Sequence, residues 1–235
     1  MDYLGIDGCK AGWFYVGKRA SRAYVFGIME TMDQLGALAT PQTRICIDMP
    51  MGLWEKNPSE RPCDLAARKL LKGRGSSIFP TPARGALGLS DYRTASELNF
   101  QLTGRRLSLQ SFYIMPKIKE VDDFISRSQG CYQLHECHPE LSFLALNQFV
   151  HLTHSKKTAP GRDERLALLE KHLSGFRKVF EDASRQYLRK ELALDDILDA
   201  GVLVHVASLG EGINRLPGTA VRDDRGIKME IIYPG

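Results

Sequence analysis

The N-terminal stretch alternates short apolar runs with small or charged breaks. Tyr3–Asp7, Trp13–Gly17 and Ala23–Ile28 are β-rich and are separated by Gly, Lys and Arg turn residues, the spacing of an antiparallel meander. A helical stretch follows over Met32–Leu38. Arg44–Asp48 then reads as a fully buried strand that stops before Pro50. A strand reached through a helical crossover runs parallel to a neighbour in the same sheet, so the first half is predicted as β-β-β-α-β.

From about Arg61 to Arg127 the pattern is mostly helical, with Cys63–Lys72 a basic amphipathic segment bracketed by prolines. Gly73–Gly88 is a loop rich in Gly, Ser, Pro and Arg, and a long irregular segment within a compact domain is more often functional than ornamental. Cys131–Cys137 is a further strand candidate, and Pro139 suits a helix start because its missing N–H would be an orphan there. His151–Arg162 reads as polar loop, and Asp163–His172 and Arg177–Arg189 as surface helices. Leu194–Leu209 reads as an apolar core helix and Lys228–Ile232 as a closing strand. The pattern predicts one α/β domain, 1–235, with a mainly helical insertion at about 53–130.

Composition narrows this reading only a little. The 235 residues are 43% hydrophobic and 26% charged, enough for a sizeable core. The formal net charge of +4 permits nucleic acid as a partner without demanding it. Five cysteines without a paired CxxC spacing point to free thiols in a reducing cytoplasm. Neither a secretory signal nor an apolar run of membrane-spanning length is visible, so a cytoplasmic protein without a membrane partner is expected.

Two motif-like strings carry no chemistry. Gly12 to Lys18 matches part of a phosphate loop, but Arg19 stands where Ser or Thr must hold magnesium, and Trp13, Phe14 and Tyr15 cannot cradle phosphate. His135, Cys137 and His138 with Cys131 lack the spacing of a structural zinc site.

The chemistry sits in acids with apolar surroundings. Asp7 ends the first strand, Asp48 ends the buried strand, and Glu136 lies near the end of the third core-strand candidate. Asp196 and Asp199 lie three apart in Asp195-Asp196-Ile197-Leu198-Asp199-Ala200. Ligands of open α/β sheets bind at the carboxyl ends of parallel strands. Most of these acids also have an ordinary reading: a turn signal for Asp7 and Asp48, a strand end paired with a basic residue for Glu136, a helix cap for Asp195 or Asp196; Asp199, within an apolar helix, has no capping role. If they cluster, two like charges ~4 Å apart repel by about 4 kcal/mol at an effective dielectric near 20. Such a cluster protonates in part or recruits a cation, and oxygen-only ligands suit Mg²⁺ or Mn²⁺. A second feature is basic: Arg61, Arg68, Lys69, Lys72, Arg74 and Arg84, with Gly73, Gly75, Ser76 and Ser77 whose amides could approach phosphate. A solvated helix face is the alternative for this run.

Several strings together resemble one family. They are Gly5-Ile6-Asp7-Gly8-Cys9-Lys10-Ala11-Gly12-Trp13, Ile47-Asp48-Met49-Pro50-Met51-Gly52, and Arg61-Pro62-Cys63-Asp64 with Ala67-Arg68. Glu136-Cys137-His138-Pro139-Glu140, the Lys156 to Arg165 segment and Asp195 to Ala200 complete the set, in order along nearly the whole chain. They are similar to the predicted RNase H-like nuclease family, domain of unknown function 429. The resemblance implies an RNase H-like fold related to Holliday-junction resolvases. It also implies acids on the first strand, the fourth strand and the last core helix that bind two metals, here Asp7, Asp48, Asp196 and Asp199. Resolvase-like enzymes usually carry Glu on the fourth strand; Asp48 is shorter, so Glu136 or a water is expected to complete the site.

The expected activity is metal-dependent hydrolysis of DNA or RNA, with Asp7, Asp48, Glu136 and Asp199 as catalytic acids and two ions in an in-line displacement. Asp7 would bridge the ions, and Arg74 and Arg84 would clamp the scissile phosphate. Lys10, Arg61, Arg68, Ser76 and Lys156 are further candidates for substrate contact. The alternative is a non-catalytic nucleic-acid or nucleotide-binding module on the same fold. A sugar-kinase-like phosphotransferase fits poorly, because Cys9-Lys10 stands where a phosphate-loop hydroxyl belongs.

Overall fold

The computed structural model describes residues 1–19, 24–219 and 221–235. Chain contacts divide it into two compact units. The first comprises Met1–Asp48, Gly130–Asn214 and Ile232–Gly235, and the second Met49–Gln129 and Arg215–Ile231.

The first unit is built on a mixed sheet. β1 (Tyr3–Cys9) pairs antiparallel with β2 (Gly12–Lys18), which pairs antiparallel with β3 (Tyr24–Met29). Ala23, the expected start of β3, lies outside the described residues. A 3₁₀ turn, Met32–Ala37, leads to β4 (Arg44–Ile47), which lies parallel beside β1, and β5 (Gln133–Cys137) lies parallel beside β4. With β6 (Ile213–Leu216) and β7 (Ile231–Pro234) the order is β3-β2-β1-β4-β5-β7-β6. An antiparallel meander continued by parallel strands and flanked by helices is the RNase H-like α/β arrangement. The strands that carry Asp7 and lead into Asp48 are thus adjacent and parallel, with Ile6 paired to Ile47.

Strand alternation sorts the sheet into two faces. Gly5, Asp7 and Cys9 of β1, Phe14 and Val16 of β2, Cys46 of β4 and Cys137 of β5 share one face by register. Four helices of this unit follow: α4 (Pro139–Leu146), α5 (Ala159–His172), α6 (Phe176–Gln186) and α7 (Leu194–Ser208). α7 packs against β1, β2 and β4 and against α4, α5 and α6, and it is buried almost throughout. The approach is close enough that a Cβ on Gly5 would overlap the backbone of Ala200 and Val204. Glycine at that position therefore sets the distance between helix and sheet.

Helix ends follow local chemistry. α5 starts at Ala159, earlier than the polar pattern suggested, because Pro160 falls in the first turn and Thr158 accepts the Gly161 N–H at 3.3 Å. The closing strand is Ile231–Pro234, not Lys228–Ile232; Lys228 forms only an isolated bridge with Arg222. β6 was not anticipated.

The second unit holds α1 (Pro62–Leu70), α2 (Tyr92–Thr103) and α3 (Leu109–Ser128), with two short 3₁₀ turns, Gly75–Ser77 and Arg84–Ala86, inside the segment read as loop. No helix among the described residues is long and apolar enough to cross a membrane.

Candidate metal centre

The β1–β4 ladder ends at Ile6 and Ile47, and the Asp48 N–H donates to the Ile6 carbonyl at 3.1 Å. Asp7 and Asp48 are each one residue beyond that last pair, so alternation turns both toward the α7 face. β1 itself runs on to Cys9 in the hairpin with β2, so Asp7 lies within the strand, one step past the parallel ladder. Asp7 is buried, and its Oδ1 accepts the Gly8 N–H at 2.8 Å. α7 supplies Asp199, which is 2% exposed.

Lys156 enters from the 147–158 segment between α4 and α5. Its Nζ lies 2.5 Å from Asp199 Oδ2 and 3.9 Å from Asp195 Oδ2. Lys157 pairs with Asp195 at 2.6 Å. The other oxygen of Asp199, Oδ1, is buried and accepts no hydrogen bond from the protein.

Electrostatics bind these groups into one system. Burial, then Asp48, Asp199 and Asp196, push the Asp7 carboxyl well above the usual carboxylate range. Asp48 is raised to about 7 by burial and by Asp199, against the lowering effect of Lys156. Asp199 is raised by burial, an effect that Lys156 opposes. Burial works against the charge of Lys156, but Asp199, Asp7 and Asp48 outweigh it and hold the ammonium protonated above its ordinary range. Burial likewise raises Asp196 to about 6.

The structure therefore brings together Asp7, Asp48, Asp199 and Lys156. Asp196 belongs to the same electrostatic system, but its carboxylate is committed to the Ala193 N–H at 2.9 Å and serves the start of α7. Asp195, four residues before Asp199 and on the same helix face, was passed over as a cap and instead meets both lysines. Glu140 was also missed. It sits in the first turn of α4, holds Arg165 at 2.7 and 3.0 Å, and raises both Asp48 and Asp199.

Glu136 requires correction. It pairs in register with Ile47, so its side chain leaves the sheet on the face opposite Asp7 and Asp48 and cannot complete their site.

The basic candidates divide. Lys10 is exposed in the turn after β1. Arg61, Arg68, Arg74, Ser76 and Arg84 belong to the second unit. Arg84 is buried and is held by Asp122 at 2.9 and 3.1 Å, by Glu55 at 2.9 Å and by Asp223. Arg61 is buried against Asp64 at 2.5 and 3.0 Å and donates to the Met51 carbonyl at 2.8 Å. Both guanidinium groups are internal ion-pair partners, which removes Arg84 as a phosphate clamp and Arg61 as a substrate contact. Arg68 donates to the Ile78 carbonyl at 2.9 Å and pairs with Glu60 at 2.5 Å. In the glycine-serine loop, the N–H groups of Arg74, Ser77 and Ile78 are consumed by turn hydrogen bonds of 2.8, 3.1 and 3.1 Å. Of the amides assumed for phosphate, this takes away that of Ser77. Ser76 is exposed.

Among the described residues, no three His, Cys, Asp or Glu side chains stand as a ready-made metal-ligand set. The donor chemistry nevertheless fits a hard divalent ion: carboxylate oxygens on one sheet face, with the buried Asp199 Oδ1 lacking a donor. Mg²⁺ or Mn²⁺ would be held by Asp7, Asp48 and Asp199.

Searches of curated proteins and of solved structures find no significant match to the chain. Residues 5–222 match one family model, so the chain belongs to the family described as protein of unknown function (DUF429).

Proposed function

We propose that this chain is a metal-dependent phosphodiesterase that hydrolyses nucleic acid. The observation that carries the reading is that Asp7 and Asp48, just beyond the last β1–β4 pair, share their face with Asp199 of α7; besides burial, Asp48 and Asp199 raise Asp7, and Asp199 raises Asp48. Mutual repulsion of this kind is unfavourable in an empty fold and becomes useful when a cation is shared. A bound Mg²⁺ or Mn²⁺ supplies charge neutralisation and Lewis-acid polarisation of a phosphoryl oxygen. Asp7 and Asp48, fixed on neighbouring strands, orient the oxygens that hold it. Asp199 positions the Lys156 ammonium, whose charge favours an approaching phosphate.

Lys10 is the proposed substrate contact outside this cluster in the first unit; within the second unit, Arg74 and Ser76 are proposed, by themselves, as phosphate contacts. The modest positive charge of the chain, +4, supports a polyanionic substrate. A reducing, cytoplasmic setting is part of the proposal, supported by five free cysteines, four of them buried.

The test combines calorimetric titration of Mn²⁺ with cleavage of labelled DNA and RNA oligonucleotides. The wild type should bind Mn²⁺ and cleave one of the two polymers. Asp7→Asn should lose Mn²⁺ binding and lower cleavage by about two orders of magnitude or more. Undiminished Mn²⁺ affinity in Asp7→Asn would make the acids structural. Nucleic-acid binding without cleavage would favour the non-catalytic module.

A further inference from the structure

Lys156 is an unusual member of a carboxylate site meant for cations. Its Nζ is 2.5 Å from Asp199 Oδ2, and the segment that carries it is anchored a second time by Lys157 on Asp195 at 2.6 Å. The surrounding acids already have partners: Asp195 has the lysines, Asp196 the Ala193 N–H, and Glu140 the Arg165 guanidinium. Asp7, Asp48 and the partnerless Asp199 Oδ1 are what this arrangement offers to an ion.

Charge then decides the number of ions. Three ionised carboxylates, one ammonium and one divalent ion sum to neutrality. A second divalent ion would leave two uncompensated positive charges in a largely buried place, where such an excess is costly. Removal of the ammonium would halve that excess, to one positive charge, and so favour a second ion.

We propose that Lys156 is a built-in cation that substitutes for one of two divalent ions, so that Asp7, Asp48 and Asp199 Oδ1 take a single Mg²⁺ or Mn²⁺. The proposal rests on the reading of these acids as a divalent-metal site, and it departs from the two-ion arrangement expected from the family resemblance. Lys156 is then a specificity-determining residue for metal stoichiometry. Methionine at this position keeps the length and removes the charge, whereas arginine keeps the charge.

The experiment is calorimetric titration of the full chain with Mn²⁺ alone, read as stoichiometry and not as activity. Wild type and Lys156→Arg should bind one ion per chain, and Lys156→Met should bind two. Two ions in the wild type, or a single ion in Lys156→Met, would overturn the proposal while leaving the metal site itself standing. No Mn²⁺ binding in any of the three would instead remove the metal reading on which it rests. A measurement on the wild type alone guards against a methionine variant that does not fold. With excess Mn²⁺, its electron paramagnetic resonance spectrum should show an isolated ion, and an exchange-coupled pair would refute the single-ion site.

Discussion

Asp48 shows what a carboxylate held beside other acids costs its fold. Its pKa is raised from 3.8 to about 7, so its contribution to stability is fully present below the unfolded value and is lost as pH rises toward 7. Metal-free protein should therefore lose stability between about pH 4 and 7, and Asp48→Asn should flatten that slope. Each pKa unit corresponds to about 1.4 kcal/mol, and partial exposure reduces the total, so a gain of about 1–3 kcal/mol at pH 7 is expected from urea melts. A steeper slope in Asp48→Asn would contradict this account. Arg84 behaves oppositely. It is compensated by Asp122, Asp223 and Glu55, and Arg84→Met strands those acids, at a cost of about 3–5 kcal/mol. A melting temperature unchanged from wild type would show that the cluster contributes little. The sequence displayed Arg84 within a basic run but not its partners, because Asp122 and Asp223 come from distant positions. Asp199 stood out because a carboxylate inside an apolar helix has no capping role, whereas Asp7 and Asp48 read equally well as turn signals until strand register put them on one face. The side chosen by Glu136 was not legible, since it depends on register with β4, which no single strand encodes.

At the level of elements, β1, β2 and β4 could be read from apolar runs closed by turn residues, and α7 from an apolar stretch begun by acids. β6 was invisible because Ile213-Asn-Arg-Leu216 has two polar residues between two apolar ones, like many loops. The start of α5 was hidden by Ala159-Pro160-Gly161, which reads as a turn unless Thr158 is recognised as its cap. The α7–β1 contact could be located only in three dimensions, where Gly5 meets Ala200 and Val204. Gly5→Ala should push α7 away from the sheet and destabilise the protein by about 3 kcal/mol or more, since the clash is with backbone and cannot be relieved by a rotamer change. It should also weaken Mn²⁺ binding, because Asp199 rides on that helix while Asp7 stays on the strand. A Gly5→Ala variant with wild-type melting and Mn²⁺ affinity would mean that the helix is free to shift.

On the scale of the whole molecule, neither unit is a continuous stretch of chain. The second draws on Arg215–Ile231 as well as Met49–Gln129, and Asp223 accepts the Leu53 N–H at 2.9 Å besides pairing with Arg84. The first depends on α7 to cover strands that lie at the start of the sequence. A ribosome delivers β1, β2 and β4 long before α7, so their apolar face must wait uncovered while the middle of the chain is made. Non-local contacts of this kind delay folding until late segments arrive. Arrested nascent chains should stay protease-sensitive until residues through Ile231 have left the exit tunnel, and resistance acquired with only residues 1–130 exposed would contradict this order. Because Asp199 arrives with α7, the proposed metal site cannot assemble before α7 has been made. Under the proposed function, metal-dependent hydrolysis is thus withheld until α7 has been made, by the order in which the polypeptide is synthesised.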